Sequence, residues 1–232
     1  MEFAPEGPMA IPLWINGHAF LTAGSNFFDV TNPTTGEAIR RVPLCGAGEA
    51  KEAVTAARAA QPVWAEMGLA ARRVCLSHLA DALDNYTGHF AKLLMQEIAT
   101  DEAAAKAEVE AAVTALRGVE VGETGVFALV VDAKRPLAGL AEALAPALLA
   151  GATVVVKPSP RAPSAVYALC ELSARTEWPA GVLNLVQGDT AAIEGLCGAG
   201  IDRLVYRGNV ALGVDVGAMA DAAGTPFVLQ AV

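Results

Sequence analysis

Two short stretches of this chain combine residue types that can hold a ligand. Lys157 and Ser159, separated by a proline, directly follow the apolar run 153–156. The stretch 208–213 begins and ends with glycine and carries Asn209 after its first glycine. A lysine and a serine at the end of a buried strand can donate hydrogen bonds to ligand hydroxyls.

The residues most often used for covalent or metal chemistry show no comparable pattern. The four cysteines, Cys45, Cys75, Cys170 and Cys197, are far apart and form no CxxC pair. We expect them to be reduced and mostly buried. The three histidines have no ligand spacing, so no metal site is predicted.

Composition limits the kinds of partner and compartment. The chain has 232 residues and a formal net charge of −9, with a sequence pI of about 4.8. This charge argues against nucleic acid and anionic membrane surfaces as partners. Mean hydropathy is +0.41, but no apolar run approaches the roughly 18 residues of a spanning helix. The N-terminus lacks the pattern of a signal peptide. We therefore expect a cytoplasmic protein with no membrane partner.

The elements that must position these stretches alternate regularly from residue 125 onward. Apolar, β-branched runs predict strands at 125–131, 153–157, 182–186, 202–206 and 226–230. Helical spacing predicts helices at 137–150, 162–175, 189–199 and 209–223. Repeated strand–helix units predict an α/β fold with a Rossmann-like, open, mainly parallel five-stranded sheet and helices on both faces. In such sheets ligands bind at the carboxyl ends of the strands.

The N-terminal half is predicted to pack on this sheet. Asn16-Gly17 between two apolar runs predicts a hairpin over 13–20, and short strands are expected at 27–30 and 38–42. Helices are predicted at 49–60, at 69–99 with a break near Gly88, and at 101–117. We assign residues 1–12 to a mobile arm and residues 13–232 to a single domain.

Several of these segments together resemble the NAD(P)-binding half of the aldehyde dehydrogenase superfamily. They occur in the family's order: WINGHAF, DVTNPTTGEAIRRVP, LAPALLAGATVVVKPS, PAGVLNLVQGD, IDRLVYRGNVALG and TPFVLQAV. The resemblance implies the NAD(P)-binding fold and, for the family, oxidation of an aldehyde to an acid. In that reaction a cysteine thiolate attacks the carbonyl, hydride passes to the nicotinamide, and a glutamate activates water.

The departures from the family pattern fall on the catalytic groups. The resemblance places the nucleophilic cysteine in a catalytic domain beyond the segment matching TPFVLQAV, and we expect that domain to be absent. Gln230 stands where the family has the water-activating glutamate, and an amide is not a general base. Lys134 stands where the family has the asparagine of its oxyanion hole. No catalytic residue is therefore predicted, and we expect no aldehyde oxidation by the chain alone.

The cofactor positions are only partly retained. By the resemblance, Lys157 is the lysine that binds the adenosine ribose, and Ser159 lies beside it. The resemblance assigns Gly208, Asn209 and Gly213 to the turn that binds the phosphates. Pro160 replaces the acid that accepts from the ribose 2′-hydroxyl. Losing that acid also removes a repulsion against the 2′-phosphate of NADP, so NADP is no less plausible than NAD. We predict no cofactor, or weak binding of NAD(P).

Three functions remain open at this point. The first is a non-catalytic, pseudoenzyme-like subunit that supports a protein partner, most plausibly a full-length aldehyde dehydrogenase. The expected surface includes strand 226–230, and the family's oligomerisation hairpin is reduced here to residues 118–124. The second is a component of an NAD(P)-dependent aldehyde oxidoreductase that another chain completes. The third is a dinucleotide-binding or sensing module.

Overall fold

A mainly parallel sheet organises the fold in the computed structural model, which describes residues 7–22 and 26–232. The strands of the described part are β1 Leu13–Ile15, β2 His18–Phe20, β3 Phe27–Thr31, β4 Ala38–Pro43, β5 Val126–Val131, β6 Thr153–Lys157, β7 Leu183–Leu185, β8 Arg203–Gly208 and β9 Phe227–Ala231. Seven of them form one sheet in the order β2-β1-β7-β6-β5-β8-β9, and β3 pairs with β4.

Helices cover the sheet and connect its parallel strands. The described helices are α1 Ala47–Glu66, α2 Gly68–Asn85, α3 Thr87–Ile98, α4 Glu102–Leu116, α5 Ala138–Leu149, α6 Ser164–Ser173, α7 Thr190–Gly198 and α8 Val210–Ala222. The break predicted near Gly88 occurs at Tyr86, between α2 and α3. The predicted α/β fold with a mainly parallel sheet is confirmed.

The sheet has two more strands than the five predicted. Strands β5 to β9 are the five parallel strands expected from the sequence. The N-terminal hairpin extends the same sheet, because β1 pairs antiparallel with β7 through Trp14 and Leu185. The backbone amide of Asn16 also donates to Oδ1 of the buried Asn184 at 2.9 Å. The hairpin is therefore an edge of the main sheet.

The central strands are continuous apolar runs in the sequence because both faces of the sheet are buried. Every residue of β5 and β6 is buried, as expected for a parallel sheet with helices on either side. One apolar cluster unites α2 to α6 with side chains such as Leu129 and Val156. The opposite cluster unites α1 and α7 with Ala128 and Val155. Alternate residues of each strand thus supply the two cores.

The N-terminal segment is anchored where the structure describes it. Residues 1–6 of the predicted arm lie outside the described residues, as do 23–25. Ala10 forms a parallel bridge with Arg41, and the Ile11 amide donates to the Arg41 carbonyl at 2.8 Å. Ile11 is buried against Val30 and Val42 of the β3–β4 pair. Among the described residues, no helix is long and apolar enough to cross a membrane.

Helices α1 and α7 approach each other closely at Gly195. A Cβ placed on this glycine would lie 2.9 Å from the Cα of Ala47, the first residue of α1. Gly198, in the same helix, has open space at its Cβ position. The close approach of α1 and α7 therefore requires glycine at position 195 but not at position 198.

We predict opposite effects of alanine at these two positions. Gly198→Ala should raise the free energy of unfolding by up to about 1 kcal/mol, because alanine favours the helix. Gly195→Ala should be less stable than Gly198→Ala by about 1–3 kcal/mol, because its methyl group overpacks against the backbone of α1. Urea unfolding of both variants and of the parent measures the difference. Equal stabilities would show that the helices do not pack this closely.

Candidate functional site

The carboxyl ends of β5, β6 and β8 form one side of a cleft, and helices α7 and α8 contribute to its walls. The cavity has a volume of about 230 Å³. Its polar lining includes Asp132, Lys157, Ser159, Tyr206 and Asp215. Its apolar lining includes Val130, Ile193, Leu212, Val216 and Met219. The fold thus brings the predicted Lys157 and Ser159 to the crevice expected for a ligand.

Lys157 is the last residue of β6 and only 4% exposed. Burial lowers the pKa of its ammonium group to about 8, and the negative charge of Asp189 opposes part of this shift. Desolvation disfavours the charged form of a lysine. The folded protein therefore holds this ammonium group next to the cleft at a cost in free energy. There the ammonium group can donate hydrogen bonds to a ligand.

Tyr206 adds a second buried polar group to the same cleft. The residue is 2% exposed, and its Oη makes no hydrogen bond of ordinary geometry with the described residues. Burial raises the pKa of the phenol to about 12, and the charge of Asp132 adds to the rise. The backbone amide of Asn209 lies close to the hydroxyl and opposes part of this rise. The sequence analysis did not select this tyrosine.

The Asp132 carboxylate accepts hydrogen bonds both from the loop after β5 and from the N-terminus of α8. Its Oδ1 accepts from the Lys134 amide at 2.9 Å, and its Oδ2 accepts from the Asn209 amide at 2.7 Å. Asn209 is the N-cap of α8, and its side chain accepts from the Ala211 amide at 2.8 Å. The turn predicted at 208–213 does begin a helix. The amide of Asn209 in this turn, however, already donates to the Asp132 carboxylate.

The two predicted glycines of this turn have different surroundings. A Cβ on Gly208 would lie 2.5 Å from Asp132 Oδ2 and 2.7 Å from Tyr206 Oη. A Cβ on Gly213 would collide with the side chain of Leu229 on β9. Gly208 therefore makes room for groups of the cleft, whereas Gly213 allows α8 to pack on the sheet.

A network of charged side chains occupies the neighbouring strand ends, next to β9. Arg207 Nη1 donates to Gln230 Oε1 at 3.0 Å, and Arg207 Nη2 forms an ion pair with Glu142. Arg135 binds the same carboxylate through both of its terminal nitrogens, at 2.7 and 3.2 Å. Burial lowers the pKa of Arg207, and the charge of Arg135 adds to the effect. We call these four residues the Arg207 network.

Further contacts fix the loop 132–137 around this network. Glu108 of α4 accepts from the amides of Leu137 and Ala138 at 3.2 and 2.9 Å, and one of its oxygens lies 3.8 Å from Arg135 Nε. Lys134 is exposed, and its Nζ donates to the Val232 carbonyl at 3.1 Å. The loop is therefore held both from α4 and from the residues following β9.

The sequence analysis found part of this arrangement. Lys157 and Ser159 lie in the cleft, Gly208 and Asn209 lie at its rim, and Lys134 and Gln230 lie at the adjacent strand ends. Asp132 was not among the predicted residues, and its carboxylate accepts from backbone amides.

Glu142 was missed, although one signal for it was available. It is a lone acid within an apolar helix, AGLAEALAPALL, and such an acid has to find a cation or be exposed.

Cysteine and metal chemistry find no support in the described part of the chain. All four cysteines are buried and free, and burial raises the pKa of the Cys45 thiol to about 12. A thiol becomes reactive when its pKa is lowered. No group of His, Cys, Asp and Glu among the described residues could hold a metal ion.

The cleft does not fit an intact NAD(P) molecule. Lys157 and Ser159 suit ribose hydroxyls, but Asp132 occupies an amide at the α8 N-terminus where a phosphate would bind. Asp132 and Asp215 both line the cavity with only Lys157 to offset them, so the pyrophosphate would meet a net negative charge. The volume of about 230 Å³ is also below the about 300–1,000 Å³ common for ligand sites.

Comparisons with known proteins agree in one family. The family model described as the aldehyde dehydrogenase family matches residues 20–120 and 124–231. The chain is 31% identical over 202 residues to the NADP⁺-dependent succinate-semialdehyde dehydrogenase GabD of Escherichia coli, covering 77% of this chain and 42% of that protein. It is 35% identical over 223 residues to an N-succinylglutamate 5-semialdehyde dehydrogenase of Caulobacter sp. strain K31, covering 87% and 46%.

A solved structure shows the same fold. The crystal structure of lactaldehyde dehydrogenase from Escherichia coli superposes with a TM-score of 0.89 at 25% identity, covering 96% of this chain and 52% of that one. The chain thus spans about half the length of the curated relatives that it matches.

We predict that the buried charge of Lys157 makes stability depend on pH. The unfolded lysine binds its proton up to its usual pKa of 10.5, whereas the folded one loses it near 8. Between these values the unfolded state binds more protons, so stability rises with pH across that window. Lys157→Met should abolish this rise and stabilise the protein at pH 7 by about 2–3 kcal/mol.

Urea unfolding between pH 7 and pH 10 measures both effects. Lys92→Met, which removes an exposed lysine from α3, is the matched control and should change neither the slope nor the stability at pH 7 appreciably. A rise with pH that persists in Lys157→Met would show that another group causes it.

Proposed function

Because the chain belongs to the aldehyde dehydrogenase family, we propose that it serves as a non-catalytic, pseudoenzyme-like subunit. In this proposal the described region supplies a Rossmann-like scaffold that binds and supports a protein partner. The observation that carries the proposal is the Arg207 network, which fills the strand ends where the resemblance places the catalytic base and the oxyanion donor.

Gln230 is the first reason to propose the loss of catalysis. By the family resemblance it stands at the position of the water-activating glutamate. An amide cannot take a proton from water at neutral pH. Its Oε1 also accepts from Arg207, so the side chain is not free to orient a water molecule.

Lys134 and the acidic cleft are the second reason. By resemblance Lys134 stands at the position of the oxyanion-hole asparagine, but its ammonium group donates to the Val232 carbonyl. The carboxylates of Asp132 and Asp215 in the cleft also disfavour the pyrophosphate of a dinucleotide. Hydride transfer needs a cofactor held in register with the substrate.

An apolar surface beside β9 supports the proposed role in binding. β9 is an edge of the sheet in the described residues, and α8 packs on it at Gly213 and Gly217. Val210 and Val214 of α8 are 54% and 64% exposed, and their spacing places them next to this face of the helix. We call β9 with these two valines the β9 surface. Open strand edges and contiguous apolar patches favour protein association.

We propose a full-length aldehyde dehydrogenase as the partner. A protein of the same fold offers sheets with matching twist, which favours pairing along an open edge. The net charge of −9 disfavours association with another strongly acidic surface, so the contact should be centred on the apolar β9 surface.

The alternative is a subunit of an NAD(P)-dependent aldehyde oxidoreductase whose site another chain completes. The exposed ammonium group of Lys134, which is able to attract an anionic substrate, favours it. In that case the activity of the reconstituted complex should fall in Lys134→Ala while assembly is retained. A dinucleotide-binding module is the weakest candidate, because of the carboxylates in the cleft.

The proposed function predicts a hetero-oligomer that depends on the β9 surface. The chain is co-expressed with full-length aldehyde dehydrogenases of its own organism, and the mass of the purified assembly is measured. Val214→Lys should weaken the complex at least about tenfold, because it buries a charge in an apolar contact.

Val63→Lys is the matched control, because Val63 is 54% exposed on α1 and lies outside the β9 surface. It should leave the complex intact. A chain that stays monomeric with every such partner would refute the proposal, as would equal weakening by both variants.

A further inference from the structure

We propose that Asp132 is a built-in anion that excludes phosphate groups from the cleft between α7 and α8. The cleft then selects an uncharged, hydroxyl-bearing ligand over the phosphate ester of the same ligand. This inference goes beyond the proposed function, because a chain that binds no partner can still show it.

The first step of the argument is the position of the carboxylate. The N-terminus of a helix attracts anions through its free amides and its dipole. Asp132 Oδ2 already accepts from the Asn209 amide at 2.7 Å, and Asn209 Oδ1 accepts from the Ala211 amide. The helix end is thus served by groups of the protein itself, and one of them is charged.

The second step is the set of contacts that hold the carboxylate in place. The position of a Cβ on Gly208 would be only 2.5 Å from Asp132 Oδ2, so the carboxylate lies directly against this glycine. Asp132 Oδ1 is held in turn by the Lys134 amide at 2.9 Å. A phosphate approaching α8 would therefore have to displace a carboxylate that has two backbone hydrogen bonds.

The third step is the set of polar groups left for a ligand. Tyr206 is 2% exposed and lines the cleft, with its Oη close to the backbone of Gly208 and Asn209. Lys157 is 4% exposed and lines the same cavity. These groups can bind hydroxyls, and the apolar walls from α7 and α8 can hold a planar or aliphatic portion. Among the charged groups of the lining, the carboxylates of Asp132 and Asp215 outnumber the ammonium group of Lys157, so the net charge of the cleft opposes an anion.

Titration of adenosine and ADP tests the charge selection directly. Adenosine serves as the uncharged, hydroxylated probe and ADP as its phosphate ester, and heat of binding is measured for the parent protein and for Asp132→Asn. Removing a charge that lies against the phosphate position should tighten ADP binding at least about tenfold. The affinity for adenosine should change by less than about twofold, because adenosine carries no charge.

Asp221→Asn is the matched control. It removes the same charge from the exposed C-terminal turn of α8, far along the helix from Asn209, and should not change the affinity for ADP. Asp132→Ser is the second variant, because a serine hydroxyl can also accept from the amide two residues on. Circular dichroism and thermal melts establish that both Asp132 variants are folded.

Two results would overturn the inference. One is binding of ADP by the parent protein as tight as its binding of adenosine. The other is an equal gain of ADP affinity in Asp132→Asn and Asp221→Asn, which would reflect net charge alone. A tenfold gain confined to the two Asp132 variants would support it. Failure of this inference leaves the test of the partner complex unaffected.

Discussion

The ion pair between Arg207 and Glu142 is the interaction on which the described site depends. Arg207 also donates to Gln230 on β9, and Arg135 binds the same Glu142 carboxylate. One guanidinium group therefore links β8, β9 and α5, three elements that are distant in sequence. Breaking a partly buried pair leaves an uncompensated charge, so the network holds these strand ends together.

The loop after β5 connects this network to the neighbouring cleft. Its first residue, Asp132, binds the N-terminus of α8, and its fourth, Arg135, belongs to the Arg207 network. A single short segment thus contributes to both the cleft and the Arg207 network. At the strand ends beside β9, the polar and charged groups of the protein bind one another.

Local patterns in the sequence predicted much of the fold but little of the network. Strands β5 to β9 and helices α5 to α8 follow from alternating apolar runs, because each element buries its own face. The pairing of β1 with β7 joins Trp14 to Leu185 and has no local signal. The roles of Asp132 and Tyr206 also depend on neighbours that only the folded chain supplies. Residue types alone therefore located the cleft without revealing its charge balance.

A double-mutant cycle on Arg207 and Glu142 tests the account most directly. Urea unfolding of Arg207→Gln, Glu142→Gln and the double variant gives the coupling energy of the pair. The account predicts a coupling of about 1–3 kcal/mol. The exposed pair Lys106–Glu102 should give a much smaller coupling, because solvent screens it. A coupling between Arg207 and Glu142 no larger than that of the exposed pair would contradict the account.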